Sequence, residues 1–301
     1  MAVAPSPLWD VSVSGSFSGG GIASIPVSAP EFTAPLLAPA RTSHPRVHAE
    51  VGRYKLRLAE SIADRDAACR LRFKVFNIEL GKGLESSYQT GLDTDQFDLF
   101  CEHLIVEDKA DRRIVGTYRM QSGMTAAQNL GYYSEQEFDF SPYQAMRGEI
   151  LELGRASIDR EHRTPEVLTL LWRGIAQYAT DMQLRYLIGC SSLNSVDPRE
   201  GWQMYRQLEN YRIAEGLQTL PSEGFACPGE TVDDEPGLAS ETATEPTKVP
   251  KLLKTYLAIG ARICSAPAWD REFGTIDFLT LLDLRTISSS ARNRFLAPLA
   301  E

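Results

Sequence analysis

The sequence predicts an α/β domain built on a mixed sheet, and three observations carry that reading. Period-2 and period-3.6 apolar patterns alternate along the chain. An apolar strand, a charged turn and a helix follow one another over residues 150–182. No internal repeat offers a different architecture.

The elements follow in order. Residues 1–50 are rich in Ala, Pro, Ser, Gly and Val and lack the positive charge and unbroken apolar core of a secretory signal, so they read as a disordered leader. Tyr54, Leu56 and Leu58 alternate as in a strand. Ser61 with Asp64 resembles a capping box opening a helix with Ala67, Leu71, Val75 and Ile78 on one face, ended by Gly81 and Gly83. A polar loop over 81–98 ends in Asp95-Gln-Phe-Asp98. His103–Glu107 and Arg113–Met120 read as a hairpin, followed by an irregular stretch with Tyr132, Tyr133 and Phe138. The central strand starts at Ile150; Pro165 opens a helix to Met182, and Tyr186–Cys190 is a further strand. Arg199–Arg212 reads as a short helix. Residues 222–247 hold seven acidic residues and no base, as in a flexible insertion. Leu252, Leu253, Tyr256, Ile259 and Ile263 give an appended helical stripe, and Phe278–Leu284 a last strand. The predicted domain is therefore 51–290, with a tail at 291–301.

Composition narrows the function. With 301 residues and 43% hydrophobic content the chain can bury a sizeable core, and a net charge of −9 argues against a general nucleic-acid binder. Five cysteines without C-x-x-C spacing suit reduced thiols in the cytoplasm. No apolar run reaches the ~18 residues of a membrane span. The four histidines show no paired metal-ligand spacing, so no metal site is expected, and no G-x-S-x-G elbow occurs. His103 and Asp108 have the H-x4-D spacing of glycerolipid acyltransferases but overlap an alternating strand.

Glu152 and Arg155 are charges inside an apolar strand, which marks them as a candidate base and anion clamp or as a solvated pair. Residues three apart on a regular strand face opposite sides, so they share a cleft only if the strand bulges, and Gly154 would allow it. Arg160 and Arg163 precede the helix start at Thr164-Pro165, where arginines hold phosphate or form a charged surface turn.

Taken together, these residues resemble the Gcn5-related acyltransferase fold: a mixed sheet flanked by helices, here with an appended C-terminal helix and strand. That family's R-x-x-G-x-G turn becomes Arg163-Thr-Pro-Glu166-Val-Leu168, which replaces both glycines beside the coenzyme A pyrophosphate. Acyl-homoserine-lactone synthases share Leu71-Arg72 with Phe76, Asp95 and Asp98, Arg119, and Glu152 with Arg155, although their usual tryptophan is absent after Gly81. The closer resemblance is to the L-ornithine N-acyltransferases. It is carried by Phe97-Asp98, Cys101-Glu-His103, Gly116-Thr-Tyr-Arg119, Tyr133-Ser134, Glu137-Phe-Asp139, Glu152-Leu-Gly-Arg155, Leu171-Trp172, Gly189-Cys-Ser-Ser192, Leu252-Leu-Lys254 and Gly260-Ala261.

The resemblance implies transfer of a 3-hydroxyacyl group from the phosphopantetheine thioester of acyl carrier protein to the α-amine of ornithine, giving lyso-ornithine lipid with no bound cofactor. It makes Glu152 the base, with Arg155 orienting it or binding the acceptor carboxylate. Arg72, Asp95, Asp98 and Arg119 either select the acceptor or form a structural ion network. Arg160 and Arg163, with Arg173 and Arg185, would meet the acidic carrier. The appended helix would roof an acyl tunnel, touch the membrane or pack in the core. The implied enzyme is cytoplasmic, with optional peripheral contact at the inner membrane. The other readings are a synthase of acylated amino acid or lactone signals and a non-catalytic acyl-binding module.

Overall fold

The computed structural model describes residues 45–229 and 247–295. The leader up to residue 44, residues 230–246 of the predicted insertion, and 296–301 of the predicted tail lie outside the described residues. The sheet begins before the expected boundary at residue 51: Val47 and Ala49 are buried, and β1 (His48–Val51) pairs antiparallel with β2 (Tyr54–Leu58).

Helix α1 (Ile62–Phe73) is capped by Ser61, whose hydroxyl accepts from the Asp64 amide. It runs into a π-helical turn, Lys74–Glu79. Of the predicted apolar face Leu71 and Val75 are buried, while Ala67 is half-buried beside the buried Ala68; the wider turn then brings Asn77 inward and leaves Ile78 exposed. After α2 (Ser87–Thr90) come the hairpin strands β3 (Glu102–Asp108) and β4 (Ile114–Ser122), then α3 (Gly123–Gln128). The central unit is β5 (Ile150–Ile158), α4 (Pro165–Asp181) and β6 (Tyr186–Leu193). The chain continues through α5 (Pro198–Gln207), α6 (Lys251–Ile259), β7 (Arg262–Ile263), β8 (Ala268–Asp270), β9 (Thr275–Asp283) and α7 (Ser289–Phe295). A short 3-10 turn at Glu209–Tyr211 interrupts the single helix predicted over 199–212.

The sheet order is β1-β2-β3-β4-β5-β6-β9-β7, with β8 also on β9. Successive side chains of a strand face opposite sides, and the core divides accordingly. Leu187 and Leu282 join Leu171, Trp172 and Ile175 of α4 on one face. Ile188, Leu279 and Leu281 join Tyr132, Phe138 and Tyr143 on the other. Helix α6 packs Leu253 and Leu257 against Ile276 and Phe278.

One junction is irregular. β5 and β6 pair in parallel only from Ile150↔Tyr186 to Glu152↔Ile188. Beyond that, β5 bulges against β4: Arg119 pairs with Gly154, yet Thr117 pairs with Ser157. The bulge falls where the sequence placed it, but the residue with positive φ is Arg155 (φ 52), not Gly154. Where the strands part, a Cβ on Gly189 would lie 2.2 Å from the Leu153 carbonyl oxygen.

Gly189→Ala is therefore expected to force backbone movement. A loss of about 1–3 kcal/mol in chemical denaturation is anticipated, as for other over-packed interior sites. An unchanged midpoint would show that the two strands yield freely.

Candidate active site

The opening between β5 and β6 leads into a cavity of about 610 Å³. Its lining differs by sheet face. Leu168, Trp172, Leu187, Leu253, Tyr256 and Leu282 form an apolar side beneath α4 and α6, so the appended helix both packs in the core and lines the cavity. Tyr133, Glu152, Arg155, Cys190, Asp270 and Asp277 line the remainder.

Glu152 is 5% exposed. Oε2 accepts from the Tyr133 amide at 2.8 Å, and Oε1 accepts from the Ser134 amide at 2.8 Å and the Ser134 hydroxyl at 2.6 Å. These donors open the 3-10 turn Tyr133–Gln136; unsatisfied N–H groups at such an end favour an anion. Three of the roughly four acceptor positions of a carboxylate are filled. Burial raises the Glu152 pKa, against the lowering effect of these hydrogen bonds.

Arg155 does not pair with Glu152. Its Nη2 donates to Asp95 at 3.1 Å, its Nε lies 3.6 Å from Asp93, and its guanidinium sits 4.9 Å from the Tyr133 ring centre and 4.5 Å from that of Phe273. Asp95 and Asp93 belong to a buried ion network. Arg72 donates to Asp93 at 2.7 Å and in a fork to Asp98 at 2.7 and 3.0 Å, while Arg119 donates to Asp95 at 2.6 Å and Asp98 at 3.2 Å. The D-x-x-D spacing has a local cause. Asp95 accepts from the Phe97 amide and Asp98 from the Asp95 amide, reciprocally capping the 3-10 turn Gln96–Leu99. Burial would raise both carboxyls, but Arg119 and Arg155 around Asp95, and Arg72 and Arg119 around Asp98, hold them below the usual range. Arg72, Asp95, Asp98 and Arg119 thus form an ion network joining α1 and the 93–98 loop to β4 and β5.

The remaining candidates separate. Arg163 lies at the cavity rim, donating to the Ile158 carbonyl at 3.0 Å and to Glu79 at 2.5 Å, and Arg160 is exposed. Arg185 is engaged by Asp283 at 2.6 Å. Burial pushes the His103 imidazole down to about 4, and Asp108 is paired with Arg53, so the H-x4-D pair is no reactive centre.

A second acidic group received no role from the sequence. Glu137, Asp270 and Asp277 are 1%, 5% and 4% exposed. Burial and the charge of neighbouring acids raise Glu137; burial raises Asp277, with Ser192 easing the shift and Asp270 adding to it. Cys190 Sγ lies 3.8 Å from Glu137 and 3.6 Å from Ser134, and burial keeps its thiol protonated. An acid inside the apolar strand β9 was the available signal for Asp277, the same one that marks Glu152.

An acetyltransferase (GNAT) domain is matched over residues 71–173, and with the sheet described above it defines an acyltransferase fold. The L-ornithine N(alpha)-acyltransferase of Brucella abortus is 33% identical over 79% of this chain and 87% of that protein. That of Agrobacterium fabrum is 32% identical, covering 79% and 83%. The chain belongs to the L-ornithine N(alpha)-acyltransferase family and is an amide-forming acyltransferase. It is also similar to the solved N-acyl amino acid synthase FeeM from uncultured soil microbes, with 14% identity, 82% and 97% coverage and a TM-score of 0.48.

Arg72→Ala leaves Asp93 and Asp98 without their guanidinium and is expected to cost about 3–5 kcal/mol in chemical denaturation. A loss under about 1 kcal/mol would contradict the network's structural weight. The two acid groups should also oppose each other in pH. Lowered Asp95 and Asp98 contribute stability above the unfolded carboxyl range that is lost as pH falls through their folded values. Raised Glu137 and Asp277 contribute stability below that range that is lost as pH rises through theirs. Glu137→Gln should therefore raise the melting temperature more at pH 8 than at pH 5; an equal shift at both would refute the raised carboxyl.

Proposed function

We propose that the chain transfers a 3-hydroxyacyl group from the phosphopantetheine thioester of acyl carrier protein to the α-amine of L-ornithine, forming lyso-ornithine lipid. The observation that carries the reading is the division of one cavity at the β5–β6 opening into an apolar side and a charged side. The apolar side suits an acyl chain, and the charged side suits an amino acid. The relatives named for acylation of ornithine support the acceptor.

In the reaction the neutral amine attacks the thioester carbonyl, a C–N bond forms, the C–S bond breaks, and the carrier thiol leaves with a proton. Glu152 is the proposed proton acceptor. It lines the cavity with one acceptor position unfilled, and burial strengthens it as a base. Arg155, fixed by Asp95 and two aromatic rings, is the proposed clamp for the acceptor carboxylate. Beyond Glu152, the β5 edge facing β6 has no strand partner among the described residues, and its amides are proposed to stabilise the developing oxyanion.

Donor choice rests on the start of α4. Glu166 and Leu168 replace the glycines that would admit a pyrophosphate to the backbone. Exposed Arg160 and rim Arg163 can meet one phosphodiester and an acidic protein surface. No described helix is long and apolar enough to cross a membrane; a cytoplasmic enzyme releasing its product at the inner-membrane surface completes the proposal.

Purified protein should use 3-hydroxyacyl-carrier protein at least about tenfold better than the matching acyl-coenzyme A, with a preference that shrinks as salt is added. Arg163→Glu should reduce carrier-dependent kcat/KM more than Arg163→Gln. Equal use of both donors would return the chain to coenzyme A chemistry. Glu152→Gln should lower kcat about 100-fold or more. In the wild type, the acidic limb of the rate profile should lie above the ordinary glutamate range, because the base works ionised and its pKa is raised. Normal turnover by the variant ends the assignment.

A further inference from the structure

Glu137, Asp270 and Asp277 have a feature that the reaction described above leaves unused. All three are more than nine-tenths buried, and none forms an ion pair with a Lys, Arg or His among the described residues. Among the described residues, Glu137 Oε1 and Asp277 Oδ1 are buried with no donor to accept from, and burial together with the neighbouring Asp277 carboxyl raises Glu137. Asp270 accepts from the Phe273 amide at 2.8 Å, but the orphaned oxygens of the other two are costly, and native proteins normally satisfy such groups. The contrast with Asp93, Asp95 and Asp98 lies in the charges, since those acids are matched by three arginines even though Asp93 Oδ2 also lacks a hydrogen-bond partner among the described residues.

Asp270 and Asp277 line the cavity, as do Cys190, Ser192 and Phe273, while Glu137 lies just outside the lining with its carboxyl 3.8 Å from Cys190 Sγ. The charge of Arg155 is felt at both Glu137 and Asp277, so the charged part of the cavity pairs a guanidinium with a set of acids. That layout complements an α-amino acid carrying a second positive charge.

We propose that Glu137, Asp270 and Asp277 form the seat for the side-chain ammonium of the acceptor and so select a diamino acid over neutral ones. The inference rests on the acyl-transfer reading above and names the residues behind its acceptor specificity. A primary ammonium has three N–H donors and no acceptor, which suits a site where carboxylate oxygens predominate. Seating it here anchors the side-chain nitrogen among acids and leaves the α-amine for attack. Glu137, Cys190 and Asp277 also present ligand atoms within 4.8 Å of one another, so metal content is one of the readouts of the test.

The test compares ornithine with norvaline, which has the same carbon chain without the terminal amine, in the full-length wild type and in Asp277→Asn. The wild type should favour ornithine, and the variant should lower the ornithine-to-norvaline ratio of kcat/KM by roughly 10- to 100-fold, mainly through KM, the scale of one hydrogen bond to a charged group. Asp270→Asn should act in the same direction. Ornithine should raise the melting temperature of the wild type and much less that of Asp277→Asn, while the variant alone should melt no lower than the wild type because it removes an unpaired buried charge. An unchanged ratio in a folded Asp277→Asn, with ornithine still acylated, would overturn the seat and leave the acyl-transfer reading standing. Ornithine binding in calorimetry that is lost in Asp277→Asn, with no acylation of either amino acid by the wild type, would uphold the seat and refute the reaction. Stoichiometric metal in the purified wild type that is absent from Asp277→Asn would overturn the seat in favour of a metal site.

Discussion

The architecture depends on the bulge in β5. A regular strand would send Glu152 and Arg155 to opposite faces and would keep β5 zipped to β6. The additional residue, with Arg155 in the left-handed region, brings both side chains to one cavity and ends the parallel pairing after Glu152. A non-glycine residue in that conformation is strained. Here the strain is offset where Arg155 lands: on Asp95, near Asp93, and between the rings of Tyr133 and Phe273. The cavity, the catalytic candidates and the strand opening are thus consequences of one backbone irregularity held by one side chain.

Charge burial explains how this region can be both rigid and reactive. In the network of Arg72, Arg119 and Arg155 with Asp93, Asp95 and Asp98, cations and anions are matched in number and joined by short bonds, so the desolvated charges are compensated. The group of Glu137, Asp270 and Asp277 has no ion-pairing cation of its own among the described residues, while an orphaned oxygen occurs in both groups, at Asp93 as at Glu137 and Asp277. Glu152 falls between these extremes, its charge supported by amides and a hydroxyl rather than by an ion. Compensated charges fix the scaffold, and the uncompensated group is the one proposed above to seat the acceptor's ammonium.

Much of this was legible in the sequence because the signals are local. Alternation marked β2 and the β3–β4 hairpin, Thr164-Pro165 marked the start of α4, and two charges in an apolar strand marked Glu152 and Arg155. Gly154 correctly pointed to a bulge, yet the left-handed residue is its neighbour, since which residue takes the strain depends on the ion network and not on propensity. β1 was absorbed into the leader because four residues with a single buried side chain carry too short a pattern. The π turn after α1 was equally hidden: the 3.6-residue period placed Ile78 inside, and only packing around Asn77 reveals the wider turn. Asp93, Asp270 and Asp277 come from distant segments, and nothing in their local sequence says which acids meet an arginine and which meet none.

The central claim is that the acyl group enters through the β5–β6 opening and lies on the apolar side of the cavity, with its carbonyl at the bulge. A crystal structure with a 3-hydroxyacyl pantetheine amide, in which nitrogen replaces the thioester sulfur, tests it most directly. The account predicts the chain against Trp172, Leu187, Leu253 and Leu282, the pantetheine passing between β5 and β6, and the carbonyl oxygen facing the backbone at Leu153–Gly154. An acyl chain bound outside this cavity, or a carbonyl far from β5, would contradict it.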